Sequence, residues 1–239
     1  MFTPHTLGIA LFMMITSAIC WGSWANTFKG VKNYRFELFY WDYAIGIFLA
    51  SLVFAFTMGS SGHDANSFLN NVRSTDTNNI VYMMIGGAIF NLANLLLVAA
   101  IDMAGLAVAF PVSIGIALVV GVISSYIRQP KGGAALLAAG VVCALIAVVL
   151  DGKAYGSLAI AGRTVSRKSI VTCIVSGVLM GLWPYFVARA MTNGNTLSPY
   201  SIAVFLTAGA LLFLAVWWGN HIVRSRRSRR AALVPEPAS

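Results

Sequence analysis

Charged residues are scarce in this sequence: Asp, Glu, Lys and Arg make up 10% of its 239 residues. A soluble domain carries about 25% charged residues, whereas here 59% of the residues are hydrophobic and the mean hydropathy is +0.80. Too few polar side chains are present to cover a globule with a solvated surface. The composition therefore excludes a soluble globular domain and predicts a protein that lies in a lipid bilayer.

Cysteine pairs and catalytic motifs are also missing. Cys20, Cys143 and Cys173 lie inside apolar stretches and have no metal-ligand spacing. Neither GxSxG nor HExxH occurs. The Ser, His and Asp of GSSGHD at 59–64 are too close in sequence to form a catalytic triad, so we interpret that stretch as a turn. We expect no cofactor, no metal and no enzymatic activity.

Long apolar blocks dominate the chain instead. A helix rises 1.5 Å per residue, so about 20 residues cross a bilayer core of about 30 Å. Blocks of about this length, without the alternating polarity of barrel strands, are Leu7–Phe28, Leu38–Met58, Ile80–Ile101, Leu106–Ile127, Ala134–Leu150, Ile170–Met191 and Ser201–Val223. The sequence predicts an all-α, polytopic transmembrane bundle of about seven helices.

The 16 Lys and Arg residues fall mainly on one side of this predicted bundle. The side that holds the N-terminus carries 4 of them and the opposite side carries 12. Because positive loops mark the cytoplasmic face, we expect an outside N-terminus and a cytoplasmic C-terminus, in a bacterial inner membrane. Anionic lipid then accounts for the net charge of +9, and no nucleic-acid partner is expected.

Small residues recur at every fourth position of two blocks, a spacing that lets helix backbones approach closely in lipid. We predict that both rows pack against neighbouring helices. The row in the fourth block is Gly105, Ala109, Ser113, Ala117, Gly121 and Ser125, and the row in the fifth block is Ala135, Ala139, Cys143 and Ala147.

An internal repeat is indicated by a shift of 159 positions, which places Ile15, Ser17, Gly22 and Trp24 on Ile174, Ser176, Gly181 and Trp183. Coincidence is the alternative explanation. A unit of five helices crosses the membrane an odd number of times, so its second copy would enter inverted, as in many transporters. We expect a first repeat at 1–155, a partial second repeat of two helices at 156–223, and a basic, disordered tail at 224–239.

Three segments resemble the drug/metabolite transporter superfamily, in particular the branch of glucose/ribose porters and ureide permeases: CWGSWANTFK at 20–29, RFELFYWDYAIG at 35–46, and 86–121 followed by RQPKG. The resemblance implies two inverted five-helix repeats, ten helices in all, that move a small polar metabolite such as a sugar or ureide through a central cavity. Against that pattern the chain is expected to be truncated after seven helices. A homo-oligomer is a further possibility.

Amides in the third block are the first candidate substrate ligands. At 100° per residue, Asn91, Asn94, Gly87 and Asp102 fall within about 80° of one helix face. Amides donate and accept hydrogen bonds to hydroxyl or ureide groups, which makes Asn91 and Asn94 predicted substrate-binding residues. Hydrogen bonding between helices is the alternative role.

Tryptophans in the first block form a second candidate surface. Trp21 and Trp24 share one face of that helix, and indole rings stack on sugar or purine-like rings. We predict that Trp21, Trp24 and Asn26 bind substrate; a position in the interfacial aromatic belt is the alternative for the two indoles.

Asp42 and Asp102 are the candidate coupling carboxylates, because an ionisable group at membrane depth is by default a functional candidate. For Asp42 the alternative is a solvated helix end. These features favour a permease for a small polar metabolite. A seven-helix receptor or sensor and a non-transporting membrane fragment stay open as alternatives.

Overall fold

The computed structural model describes residues 2–29, 36–60, 67–128, 130, 133–158 and 166–231. These residues form helices and turns, without a β-strand in the described ranges. The helices are α1 Leu7–Lys29, α2 Phe36–Phe56, α3 Phe68–Ser74, α4 Thr77–Ala104, α5 Leu106–Arg128, α6 Ala134–Leu158, α7 Arg167–Ala190 and α8 Pro199–Ala231. The predicted all-α fold class is confirmed.

Six helices, α2 and α4 to α8, contain stretches long and apolar enough to cross a membrane. In α1 the apolar stretch found among the described residues is shorter, Leu7–Ser23. The sequence did not predict α3, because its seven residues lack a long apolar block. The helix α8 continues to Ala231, past the predicted block, and 232–239 of the predicted tail lie outside the described residues.

The helix α4 is central to the described bundle. It packs against α5, α7 and α8, while α2 packs against α8 and α6 against α5. At the crossing of α4 and α8, a Cβ atom on Gly87 would lie 2.9 Å from the backbone nitrogen of Ala210 and closer still to the carbonyl oxygen of Leu206. A Cβ atom on Gly209 would likewise clash with the backbone of Met84. The two helices therefore meet backbone to backbone, which only glycine permits.

The predicted small-residue row of α5 does pack against a neighbour, α7. The Ser113 hydroxyl donates a hydrogen bond to the carbonyl oxygen of Cys173 at 3.1 Å, and Ala109 is fully buried. On α7, a Cβ atom at Gly177 or Gly181 would clash with α5. The packing predicted for this row is confirmed.

The row predicted in α6 is not an internal contact, and that prediction was wrong within this chain. Ala135, Ala139, Cys143 and Ala147 are all exposed. The helix instead meets α5 through larger side chains, since Leu145 and Val148 lie next to Gly115. Spacing identifies a row of small residues, but the neighbouring helix decides which face of α6 is covered.

Candidate functional site

Asn91 on α4 lies at the junction of three helices and is 2% exposed. The hydroxyl of Tyr40 on α2 donates a hydrogen bond to Asn91 Oδ1 at 2.5 Å. Asn91 Nδ2 in turn donates to the carbonyl oxygen of Ala210 on α8 at 2.7 Å. This geometry uses both ends of the amide, and it matches the alternative role of a hydrogen bond between helices.

Asn94, one turn further along α4, has a different environment. It is 8% exposed, and its Nδ2 donates to the carbonyl oxygen of Phe90 in its own helix at 2.9 Å. That bond fixes Nδ2 on the helix and leaves Oδ1 on the opposite side of the amide. By helix geometry, Asn94 lies between Phe90, which faces α7, and Gly87, which faces α8. Asn94 therefore lies in the seam between α7 and α8, the strip of α4 surface between its contacts with these two helices.

An aromatic cluster formed by side chains of α4 and α7 borders this seam. The rings of Phe90 and Trp183 meet edge to face, with centroids 5.6 Å apart and an interplanar angle of 73°. Further along, Tyr82 packs against Phe186 with centroids 6.4 Å apart, and the guanidinium carbon of Arg189 lies 3.8 Å from the Tyr82 ring centroid. Sequence reasoning did not name Trp183 as a site residue, although the 159-residue shift that pairs it with Trp24 was the available signal.

Trp21 lies on α1 and is 43% exposed. The backbone of Trp24 and Asn26 belongs to α1, but their side chains lie outside the part that the structure describes. The structure thus brings Asn91 and Asn94 together on α4. The placement of the α1 residues at a binding site stays a prediction.

The two candidate carboxylates lie near helix ends. Asp42 is exposed in the second turn of α2. Asp102 is exposed in the last turn of α4, which ends at Ala104 and turns at Gly105, whose φ of 82° favours glycine. Both lie on the side of the bundle that the distribution of basic residues predicts to be cytoplasmic.

A separate groove of about 540 Å³ lies between α5, α6 and α7, and Gly121, Ser125, Tyr126 and Pro184 are among its lining residues. It contains none of the predicted site residues. Among the described residues, no cluster of three or more His, Cys, Asp or Glu side chains could hold a metal ion.

Comparison with known proteins places this arrangement in a family. Ureide permease 2 of Arabidopsis thaliana is 29% identical over 164 residues, which cover 66% of this chain and 41% of that protein. Ureide permease 1 of Arabidopsis thaliana is 26% identical over 167 residues, covering 69% and 43%. "Probable ureide permease A3" of Vigna unguiculata is 35% identical over 115 residues, covering 46% and 31%. No solved structure matches the chain significantly.

These relatives are longer proteins, and this chain spans less than half of their length. The ureide permease family itself matches residues 39–172, more than half of the chain, from the start of α2 into the first turns of α7. The match includes Tyr40 of α2 and Asn91 and Asn94 of α4, whose hydrogen bonds are described above. This integral membrane chain belongs to the ureide permease family.

Proposed function

We propose that this chain is a membrane permease for a small polar metabolite, with a ureide as the favoured substrate. The observation that carries the proposal is the ureide permease match over residues 39–172. It favours a permease over a seven-helix receptor, and transport over enzymatic chemistry. The relatives are more than twice as long as the part they share with this chain. Transport by this chain alone therefore needs a direct test.

In this proposal Asn91 and Asn94 of α4 have different roles. Asn91 holds α2, α4 and α8 together through its two hydrogen bonds. Asn94 presents Oδ1 to the substrate, while Trp21, Trp24 and Asn26 line the pathway from α1. Asp42 and Asp102 are coupling carboxylates, and their exposure near helix ends would allow exchange of protons with the cytoplasm.

The wider setting completes the proposal. The 12 basic residues on one side against 4 on the other support an outside N-terminus and a cytoplasmic C-terminus in a bacterial inner membrane. The repeat at 159 residues supports the two-repeat architecture of the drug/metabolite transporter superfamily, with 1–155 as the first repeat. A homo-oligomer would be one way to enclose the pathway.

Uptake of radiolabelled allantoin, a cyclic ureide, tests the function. Cells that lack ureide uptake and produce this chain should accumulate allantoin in a saturable manner, and an excess of unlabelled allantoin should compete. The same cells producing the Gly87→Val variant serve as the control, since the backbone contact of α4 and α8 cannot accept that side chain. Failure of the chain both to transport and to bind allantoin would contradict the proposal.

A further inference from the structure

The seam between α7 and α8 holds two polar atoms that the fold itself does not use. Asn94 Oδ1 accepts no hydrogen bond, and Trp183 Nε1 donates none, within the described part of the chain. Among the described residues, Arg189 Nε is the one fully buried side-chain nitrogen or oxygen that makes no hydrogen bond. Asn94 Oδ1 and Trp183 Nε1 make no hydrogen bond and are not fully buried, so both atoms keep some accessible surface.

Both groups lie well inside the membrane-spanning helices rather than at their ends. Asn94 is in the second half of the 28-residue helix α4, and Trp183 lies seven residues before the end of α7. At that depth an unpaired donor or acceptor is costly in hydrocarbon, which favours contact with water or a ligand over contact with lipid. Asn94 and Trp183 therefore give the seam two unpaired polar atoms at membrane depth.

Phe90 contacts both residues, Asn94 through its backbone and Trp183 through its ring. Its carbonyl oxygen accepts the hydrogen bond from Asn94 Nδ2 at 2.9 Å, which directs Oδ1 away from the helix backbone. Its ring holds the indole of Trp183 edge to face. Asn94 and Trp183 are thus both restrained by contacts with one residue before any ligand binds, which lowers the ordering cost of binding.

We infer that Asn94 and Trp183 form a paired recognition element for a planar ureide group, in which Asn94 Oδ1 accepts from a ligand N–H and Trp183 Nε1 donates to a ligand carbonyl. A ureide presents an N–H and a C=O side by side in one plane, which matches one acceptor and one donor. The aromatic pair offers an apolar wall for a flat ligand. This inference rests on the proposed function and names the substrate group and two residues that read it.

The test compares hydantoin, a cyclic ureide, with 1,3-dimethylhydantoin, which keeps both carbonyls and has no N–H. Binding to the purified chain in lipid nanodiscs is measured by calorimetry. The unmodified chain should bind hydantoin at least tenfold more tightly than the dimethyl compound. Asn94→Leu should abolish this preference, because the acceptor for the N–H is lost. Trp183→Phe should weaken both ligands about tenfold and keep the preference, because only the donor to the carbonyl is lost.

Two controls separate recognition from folding. Trp217→Phe, at an exposed tryptophan of α8, should leave both affinities unchanged, and the melting temperature of every variant should stay near that of the unmodified chain. A preference for hydantoin that survives Asn94→Leu, or affinities that survive Trp183→Phe, would overturn this inference while the proposed function stands. If the unmodified chain binds neither hydantoin nor allantoin, the proposed function fails and this inference with it.

Discussion

At the scale of single residues, two asparagines three positions apart have different surroundings. Asn91 makes hydrogen bonds to α2 and α8, which use its amide oxygen and one of its two amide N–H groups. Asn94 bonds to its own helix and leaves its oxygen open. Because the two side chains differ by about 60° around α4, one lies at a helix crossing and the other at a seam.

Asn91→Leu should therefore reduce stability and spare ligand affinity. The substitution removes the hydrogen bonds that join α4 to α2 and α8, and such bonds in membrane proteins contribute about 0.6 kcal/mol on average and about 1.7 kcal/mol at most. Unfolding in a denaturing detergent titration should show a loss in that range. Tyr40→Phe, which keeps the Asn91 bond to the Ala210 carbonyl oxygen, should cost less. Equal stability of Asn91→Leu and the unmodified chain would argue against a bridging role.

At the scale of helices, close backbone contacts decide which pairs associate. The α4–α8 contact at Gly87 and Gly209 and the α5–α7 contact at Gly177 and Gly181 leave no room for a side chain on the glycine. No hydrophobic force drives helix association in lipid, so this close packing supplies much of the attraction. The exposed row of α6 shows that small residues alone do not select a partner.

Gly87→Ala should destabilise the chain although alanine is the better helix former. Intrinsic propensity favours alanine over glycine by about 1 kcal/mol, but the new methyl group would overlap the carbonyl oxygen of Leu206, and overpacking costs about 1–3 kcal/mol. Gly140→Ala on α6 is the matched control, because its Cβ atom would meet nothing within 4 Å. Thermal unfolding in detergent should rank Gly87→Ala below the unmodified chain and Gly140→Ala at or above it. The reverse order would mean that α4 and α8 do not meet backbone to backbone at Gly87.

At the scale of the whole molecule, the distribution of basic residues predicts the orientation in the membrane. The basic residues follow the predicted loops, with 12 on one side and 4 on the other. Lys and Arg near helix ends are retained on the cytoplasmic side during insertion. We therefore predict that the exposed carboxylates Asp42 and Asp102 lie in the cytoplasmic half.

A reporter that is active only in the cytoplasm measures this orientation. Fused after residue 225, it should be active, because that position lies on the basic side. Inserted at 62, on the side with few basic residues, it should be inactive. Activity at 62 and silence after 225 would reverse the orientation and place both carboxylates outside.

Local sequence determined the membrane setting, the all-helical class and most helix bounds, because hydropathy over about 20 residues is enough to identify a spanning helix. It also found the small-residue row of α5 and the polar face of α4. The tertiary structure alone decided that Asn91 bridges Tyr40 and Ala210, residues 51 and 119 positions away, that the row of α6 faces outward, and that Trp183 and Asn94 meet at Phe90. Periodicity shows which residues share a face of one helix, whereas the partner of that face depends on how distant helices pack.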